Sequence, residues 1–295
     1  MAWWQLSIRS SAQELEQTEN SLLKLGAVCI TLGDAEDEPL YEPLPGITPV
    51  WQQSVVTGLF DQTKSLENLY HDLLELLPPH QIATAQKMIV DDQDWVRAHL
   101  PHFKPIQCAE NLWVVPSWHE PPNPSAVNIQ LDPGLAFGTG GHPTTALCLA
   151  WMGERKFSHQ SVIDYGCGSG ILAIAAYKLG AQQVTAVDID PQALEATADN
   201  AQRNGIDPSL LNITLPDQLD TEAVDLLVAN ILSGPLVELA PKFAALVKVK
   251  GQLLLSGILE TQADDIRSAY ERYFVLDPIS VREDWIRVSG TRRGD

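Results

Sequence analysis

The chain has 295 residues, of which 45% are hydrophobic and 19% are charged, a composition typical of globular proteins and not of disordered ones. The 38 acidic side chains outnumber the 19 basic ones, and the net charge of −19 disfavours a nucleic-acid binder, because such proteins need cationic groups to neutralise phosphates. Four widely spaced cysteines exclude a disulfide-rich scaffold and a C-x-x-C site.

The N-terminal segment indicates a protein that is not exported. It lacks the basic start and long apolar run of a secretory signal, and the apolar stretch at 22–33 is too short to cross a bilayer. Few, unpaired cysteines suit a reducing compartment. We therefore expect a cytoplasmic protein that makes no membrane contact.

The first ninety residues predict secondary structure in the order β-α-β-β-α-β. Ser11 and Glu14 are spaced as a helix capping box, Gly26 is a helix stop, and Pro78 and Pro79 end a second helix. The predicted strands are 3–8, 27–32, 51–60 and 82–90, and the predicted helices are 11–26 and 64–77. This order is that of a ferredoxin-like α+β domain, with two helices on one face of a small sheet.

The rest of the chain predicts a second, α/β domain. Residues 92–104 predict a short linker helix that prolines close, and the later segments alternate between strand and helix patterns. The predicted strands are 161–165, 183–189, 212–215, 224–231 and 252–257, and the helices include 171–180 and 191–205. Such alternation is typical of a doubly wound parallel sheet. Segments 274–281 and 284–290 predict a hairpin that adds an antiparallel edge strand.

Three features of the second domain fall where predicted strands end, and ligands bind at those ends in doubly wound sheets. Gly166, Gly168 and Gly170 follow the first strand. Asp188 lies 22 residues beyond Gly166, at a position that suits a carboxylate accepting both hydroxyls of a ribose. Asn230 ends another strand. Together these residues predict a nucleoside that lies across the sheet edge.

The glycine spacing and a neighbouring acid indicate which nucleoside binds. Alternating glycines are not the G-x-G-x-x-G of dinucleotide folds, and no lysine follows them as in a P-loop. Asp164 would repel a pyrophosphate, yet it suits a ligand with an ammonium and a sulfonium. The ligand that fits is S-adenosylmethionine. Cys167 has no histidine near it in sequence, so we expect a packing residue and not a nucleophile.

A second glycine-rich loop, at 132–142, leads into a helix with Pro143 in its first turn, where a proline costs no hydrogen bond. This loop can fold over a ligand at the same sheet edge, and Thr145 can offer its hydroxyl there. For His142 we favour a solvated or structural role over a role in ordering this loop. The other histidines show no ligand spacing, so we predict no metal.

The segments VIDYGCGSG (162–170), AVDID (186–190) and VANIL (228–232) resemble the motifs of class I S-adenosylmethionine-dependent methyltransferases. With AFGTGGHPTT (136–145) added, residues 131–232 resemble the PrmA family, the bacterial ribosomal protein L11 methyltransferases. The resemblance implies that the residues in contact with the cofactor are Thr145, Gly166, Asp188 and Asn230, with Phe137, Asp164 and Gly168 as further members of the site.

The resemblance also implies a domain layout and a substrate. The implied domains are a ferredoxin-like substrate-recognition domain at 1–91, a linker helix at 92–104 and a methyltransferase domain at 105–295. The family's acceptors are lysine ε-amino groups and an N-terminal α-amino group of L11. Residues 1–100 carry 15 acidic and 5 basic side chains, and this charge would attract a basic ribosomal protein.

The residues after Asn230 favour an amine acceptor. They are Ile-Leu-Ser, and not the Pro-Pro-aromatic sequence that follows this Asn in methyltransferases of planar nitrogens. The sequence identifies no general base. Three other functions stay open: a methyltransferase acting on RNA or a small metabolite, a non-catalytic binding module, and an NAD-dependent oxidoreductase.

Overall fold

The computed structural model describes residues 3–36, 38, 49–61, 66–90, 103–132 and 141–294. The chain divides into two compact units, Met1–Ala98 and His99–Asp295. The predicted linker helix at 92–104 falls almost wholly outside the described residues. The predicted domain limits therefore stay predictions. Within the described ranges, no helix has the length and apolar character needed to cross a membrane.

The N-terminal unit has the predicted ferredoxin-like topology. Its antiparallel sheet has the strand order β2-β3-β1-β4. Alternate side chains of β1, such as Leu6 and Ile8, are buried in a core that helices α1 and α2 cover. The elements are β1 (Trp3–Ser11), α1 (Leu15–Lys24), β2 (Cys29–Asp34), β3 (Gln53–Asp61), α2 (Leu66–Leu76), α3 (Pro79–Ile82) and β4 (Gln86–Val90).

Two local predictions in this unit are wrong. Ser11 is the last residue of β1 and its hydroxyl donates to the Glu14 carboxylate at 2.7 Å, so the helix begins only at Leu15 and no capping box forms. Helix α2 does end before Pro78 and Pro79 as predicted, but Pro79 then begins the short helix α3, because a proline at a first helical position lacks only an N–H that would be unpaired anyway. The strand predicted from residue 82 therefore starts at Gln86.

A three-stranded sheet that the sequence analysis missed opens the C-terminal unit. It consists of β5 (Ile106–Ala109), β6 (Leu112–Val115) and β7 (Val127–Gln130). Each strand has four residues, too short for a clear alternation of apolar and polar positions. The Asn204 side chain joins this sheet to the rest of the unit, since its amide accepts the Gln130 N–H at 2.8 Å and donates to the Gln130 oxygen at 2.7 Å.

The main sheet confirms the predicted doubly wound α/β fold. Its order is β10-β9-β8-β11-β12-β15-β13, in which β8 to β12 are parallel. Helices α4 to α6 pack on one face and helices α7 and α8 on the other. The strands are β8 (Ser161–Tyr165), β9 (Gln183–Val187), β10 (Leu211–Thr214), β11 (Val224–Asn230), β12 (Val247–Leu259), β13 (Phe274–Leu276), β14 (Ser280–Arg282) and β15 (Trp285–Arg292). The helices are α4 (Pro143–Gly153), α5 (Ile171–Lys178), α6 (Pro191–Arg203), α7 (Ser233–Leu246) and α8 (Ala263–Tyr270).

The C-terminal hairpin forms as predicted, with Arg282 of β14 opposite Trp285 of β15. Its predicted place at the sheet edge is also confirmed. Strand β15 pairs with β12 on one side and with β13 on the other, so β13 is the edge strand. The long β12 supplies this pairing, because it continues beyond the predicted segment at both ends.

At the amino ends of the parallel strands, the Asp225 side chain links three neighbouring strands. Its carboxylate accepts the backbone N–H and the hydroxyl of Ser161, each at 2.8 Å, and the Lys248 ammonium at 3.0 Å. These residues belong to β11, β8 and β12 respectively. The three strands are therefore fixed to one another at the edge opposite the predicted ligand site.

Candidate active site

The four predicted cofactor-contacting residues converge on one edge of the main sheet. Gly166 directly follows β8, Asp188 directly follows β9 and Asn230 is the last residue of β11, and these three strands are neighbours. Thr145 lies in the first turn of α4, where its hydroxyl accepts a hydrogen bond from the Asn230 amide at 3.2 Å. The parallel strands therefore bring together groups that lie far apart in sequence.

The glycine loop is shaped by its neighbours as well as by any ligand. Gly166, Gly168 and Gly170 have φ values of 80°, 53° and 76°, a backbone region that side chains with a Cβ resist. A Cβ at Gly166 would lie 2.1 Å from Ile231 Cγ2, and one at Gly170 would lie 2.8 Å from Thr197 Cγ2. The glycines at 166 and 170 are therefore needed for close packing inside the domain, a cause that the sequence analysis missed.

The Asp188 carboxylate is held in place by two backbone groups. Its Oδ2 accepts the Gly168 N–H at 2.9 Å and its Oδ1 accepts the Asp190 N–H at 3.1 Å. A carboxylate has about four lone-pair positions, so each oxygen keeps capacity to accept a hydroxyl. Next to it, Ile189 is 82% exposed, a large apolar side chain at the same edge. An anchored carboxylate beside an apolar surface suits a ribose and its base.

Asp164 places a nearly unpaired carboxyl group beneath the glycine loop. The residue is 1% exposed; its Oδ2 accepts the Ala173 N–H at 2.9 Å, and its Oδ1 has no hydrogen-bond partner in the described part of the chain. Burial raises the pKa of Asp164 to about 7, against the effect of the Ala173 bond, and the charge of Asp188 raises it further. A cationic ligand would stabilise the ionised form of this group.

His142 has the structural role that we expected. It caps α4, where its Nδ1 accepts the Thr144 N–H at 3.4 Å and contacts the Thr144 hydroxyl at 2.8 Å. The ring therefore serves the helix through its Nδ1 atom. The ring also packs edge-on against Trp285, with 4.9 Å between the centroids. Nothing in the local sequence indicates this contact.

Cys167 is a packing residue. It is 5% exposed, burial raises its pKa above the ordinary range, and Thr197 donates a hydroxyl to its sulfur at 3.3 Å. Such a thiol is not a nucleophile at neutral pH. Among the described residues, no group of three His, Cys, Asp or Glu side chains is placed to hold a metal. Phe137 lies outside the described residues.

The strand order, the glycine loop after β8 and the anchored carboxylate after β9 define a class I S-adenosylmethionine-dependent methyltransferase. The orphan oxygen of Asp164 fits that cationic cofactor. A family model described as "Ribosomal protein L11 methyltransferase (PrmA)" matches residues 2–293. The chain belongs to this family, which confirms the resemblance seen in its motifs.

Relatives of known name agree with this membership over the full chain. A ribosomal protein L11 methyltransferase of Marinobacter nauticus is 49% identical over 298 residues, which cover 99% of both chains. One of Pseudomonas paraeruginosa is 49% identical over 299 residues and covers 100% of both. The crystal structure of a ribosomal protein L11 methylase from Lactobacillus delbrueckii subsp. bulgaricus is 36% identical, with a TM-score of 0.57, and covers 65% of this chain and 100% of that one.

Proposed function

We propose that this protein transfers methyl groups from S-adenosylmethionine to lysine ε-amino groups and the N-terminal α-amino group of ribosomal protein L11. The substrate is either free or on the large ribosomal subunit, so the protein works in the cytoplasm. All four cysteines are unpaired thiols, as that reducing compartment requires.

The main support for L11 as the substrate is the extent of the sequence similarity to relatives named L11 methyltransferase. Relatives named ribosomal protein L11 methyltransferase match the chain at 49% identity over 99% of its length, through both units. The residues that we assign to the methyl donor lie in the C-terminal unit. A match confined to that unit would support a methyltransferase of any kind, whereas a match that includes the N-terminal unit supports a shared substrate.

The cofactor, when bound, supplies a methyl group activated on a sulfonium. We infer that Asp188 accepts the ribose hydroxyls and that the exposed Ile189 lies against the adenine. The Asp164 carboxylate supplies negative charge for the cationic part of the cofactor. These residues bind and orient the donor, and methyl transfer needs little more than correct alignment with the acceptor.

The acceptor amine must be neutral to attack. Lysine has a pKa near 10.4, so roughly one molecule in 2,500 is neutral at pH 7. Burial beside a positive charge lowers the pKa of an amine, because both desolvation and like charge disfavour the ammonium form. The Asn230 amide is oriented by its hydrogen bond to Thr145. We infer that the neutral acceptor amine donates an N–H to the oxygen of that amide during the attack, and we assign no general base.

The N-terminal unit then has the task of capturing L11. Residues 1–100 carry 15 acidic and 5 basic side chains, which attract a basic protein and repel nucleic acid. We therefore expect no direct reading of RNA sequence.

The test is to incubate the purified protein with radiolabelled S-adenosylmethionine and with ribosomal proteins and RNA from cells that lack the gene. Mass spectrometry then locates the label. We expect label on L11 alone, on lysine and N-terminal amines. L11 whose amines have been acetylated beforehand is the matched control and should take up none.

Each other outcome points to a different function. Label on RNA would replace the proposal with nucleic-acid modification. Cofactor binding without label on any macromolecule would indicate a small-molecule acceptor or a non-catalytic module. Binding of a nicotinamide dinucleotide in place of S-adenosylmethionine would indicate an oxidoreductase.

A further inference from the structure

One face of helix α6 holds the glycine loop at 166–170 through side-chain hydrogen bonds. The Asn200 side-chain amide donates to the Ser169 backbone oxygen at 2.9 Å. The buried Thr197 hydroxyl contacts the Gly168 backbone oxygen at 3.1 Å. Thr197 and Asn200 are three residues apart in α6, so their side chains lie on the same face of the helix. Two consecutive carbonyl groups of the loop are therefore turned towards α6.

These hydrogen bonds fix two peptide planes of the loop. A peptide is planar and trans, so its carbonyl and its N–H point in opposite directions. With the Gly168 and Ser169 oxygens turned towards α6, the N–H groups of Ser169 and Gly170 point away from that helix. Glycine has no Cβ to restrict φ and ψ, so a loop this rich in glycine keeps one conformation only where its neighbours impose it. The Asn200 amide is one of the groups that impose the conformation of this loop.

Gly168 connects the fixed loop to the carboxylate that we assign to the ribose. Its N–H donates to Asp188 Oδ2 at 2.9 Å, and its oxygen is the one that Thr197 contacts. A rotation of its peptide planes would therefore also disturb the group that orients Asp188. Ser169 is 4% exposed, so water has little access to replace a lost Asn200 amide. The conformation of the loop and the orientation of Asp188 are thus linked.

Helix α6 keeps its own place without the Asn200 side chain. One turn further along, the Asn204 side chain donates to the backbone oxygen of Asn200 at 2.9 Å and bonds both backbone groups of Gln130 in β7. None of these bonds involves the side chain of Asn200, so a substitution there preserves them. The helix also packs through other positions, such as the buried Ala193 and Ala201. Loss of the Asn200 amide should therefore release the loop and leave the helix in place.

We propose that Asn200 is a positioning residue for the methyl donor: its amide, through Ser169, holds the glycine loop in the conformation that receives S-adenosylmethionine. This role rests on the proposed function and adds to it a residue of α6 that acts through the loop. A loop that is ordered before the ligand arrives needs no further ordering on binding, and the entropy saved appears as affinity. Asn200 takes no part in the transfer of the methyl group. Its effect is therefore on cofactor affinity and not on recognition of L11.

Asn200→Leu in the full chain tests this role. Leucine has the same branching and the same number of side-chain heavy atoms as asparagine, so the variant fills the same space and lacks the amide donors. We expect calorimetry to show a Kd for S-adenosylmethionine raised by about 5- to 30-fold, the factor that corresponds to ordering the backbone of one residue. The KM for L11 should change by less than about twofold. Asp199→Leu is the matched control, because Asp199 is exposed on the same helix and receives the same new side chain. It should leave the cofactor Kd unchanged.

Amide hydrogen exchange separates positioning from a general loss of stability. In Asn200→Leu without cofactor, the amides of 166–170 should exchange at least about tenfold faster than in the wild type, whereas those of β8 and β11 should keep their rates. An unchanged cofactor Kd together with a lower free energy of unfolding in urea would show that Asn200 only stabilises the fold, and would overturn the inference. An equal loss of affinity in Asp199→Leu would do the same.

If Asn200→Leu does not fold, Asn200→Ala decides, since it removes the donors by truncation alone. Its Kd for S-adenosylmethionine should rise by at least about fivefold, and an affinity within about twofold of the wild type would refute the role of the amide. Failure of the wild type to bind S-adenosylmethionine would instead refute the proposed function, and the positioning role with it. A wild type that binds the cofactor and leaves L11 unlabelled would refute only the proposed substrate.

Discussion

Replacing Asp188 with alanine should weaken S-adenosylmethionine binding by about 10- to 150-fold. The Gly168 and Asp190 N–H groups hold the carboxylate at 2.9 and 3.1 Å, so it is oriented before a ligand arrives. Hydrogen bonds to a charged group contribute about 1.5 to 3 kcal/mol, which corresponds to that change in Kd. The variant also leaves the Gly168 N–H without its acceptor, which adds to the loss.

Isothermal titration calorimetry measures this effect, with Asp190→Ala as the matched control. Asp190 is exposed and caps α6 by accepting the Gln192 N–H at 2.9 Å, while its own backbone N–H survives the substitution. The control should lose about 1 kcal/mol of folding stability, the usual contribution of a helix cap, and keep its cofactor affinity. An Asp188→Ala affinity within twofold of the wild type, or an equal loss in Asp190→Ala, would refute the reasoning.

Three further predictions concern the same site and the division of labour between the units. Burial, assisted by the charge of Asp188, raises the pKa of Asp164 to about 7, and a cationic ligand favours the ionised carboxylate. Calorimetry should therefore show that the affinity of the wild type for the cofactor rises from pH 6 to pH 8, and that the affinity of Asp164→Asn rises less. Gly166→Ala brings a Cβ to 2.1 Å from Ile231 Cγ2 at a φ of 80°, so urea denaturation should show a loss of about 2 to 4 kcal/mol, and Ile231→Ala in the same chain should recover part of it. Deleting residues 1–91 should abolish L11 methylation and preserve cofactor binding, and a loss of both would indicate that the deleted part is needed for folding.

The parts of the fold that depend on local pattern could be predicted from the sequence. Strand β8 matches the predicted segment 161–165, because a short apolar run before a glycine cluster has few other interpretations. The order of elements in the N-terminal unit was clear for a similar reason, since Gly26 and the apolar periodicity mark where helix and strand change. Glycine at 26 adopts a φ of 85°, as a helix stop requires.

Features that depend on long-range pairing could not be predicted. Which strand of the C-terminal hairpin lies outermost follows from the pairing of β15 with β12, which continues past Gly257, where a φ of 84° lets the backbone pass Ile231 closely. Nothing in the local sequence of 274–292 indicates which strand lies outside the other. The small sheet of β5 to β7 is likewise made of four-residue strands that only their partners stabilise.

The same distinction holds for the site. Residue type and strand-end position were enough to predict that Asp188 and Asn230 lie at one edge of the sheet, because parallel strands must present their carboxyl ends at one edge. The hydrogen bond between Thr145 and Asn230 joins residues 85 positions apart in sequence. The contact between His142, at the start of α4, and Trp285, at the start of β15, joins residues that are still farther apart. Side-chain pairs of this kind are decided by packing and not by local pattern.

The ion pair at Asp225 has a consequence for the opposite edge of the sheet. Asp225 and Asn230 belong to the same strand, so any sliding of β11 against β8 and β12 moves both. A slip of one residue would displace Asn230 by about 3.3 Å and turn its amide to the other face of the sheet. The bonds from Ser161 and Lys248 to Asp225 oppose that slip. The alignment of the sheet edge that carries Asn230 is thus set in part by the hydrogen bonds of Asp225 at the amino ends of the strands, one strand length away.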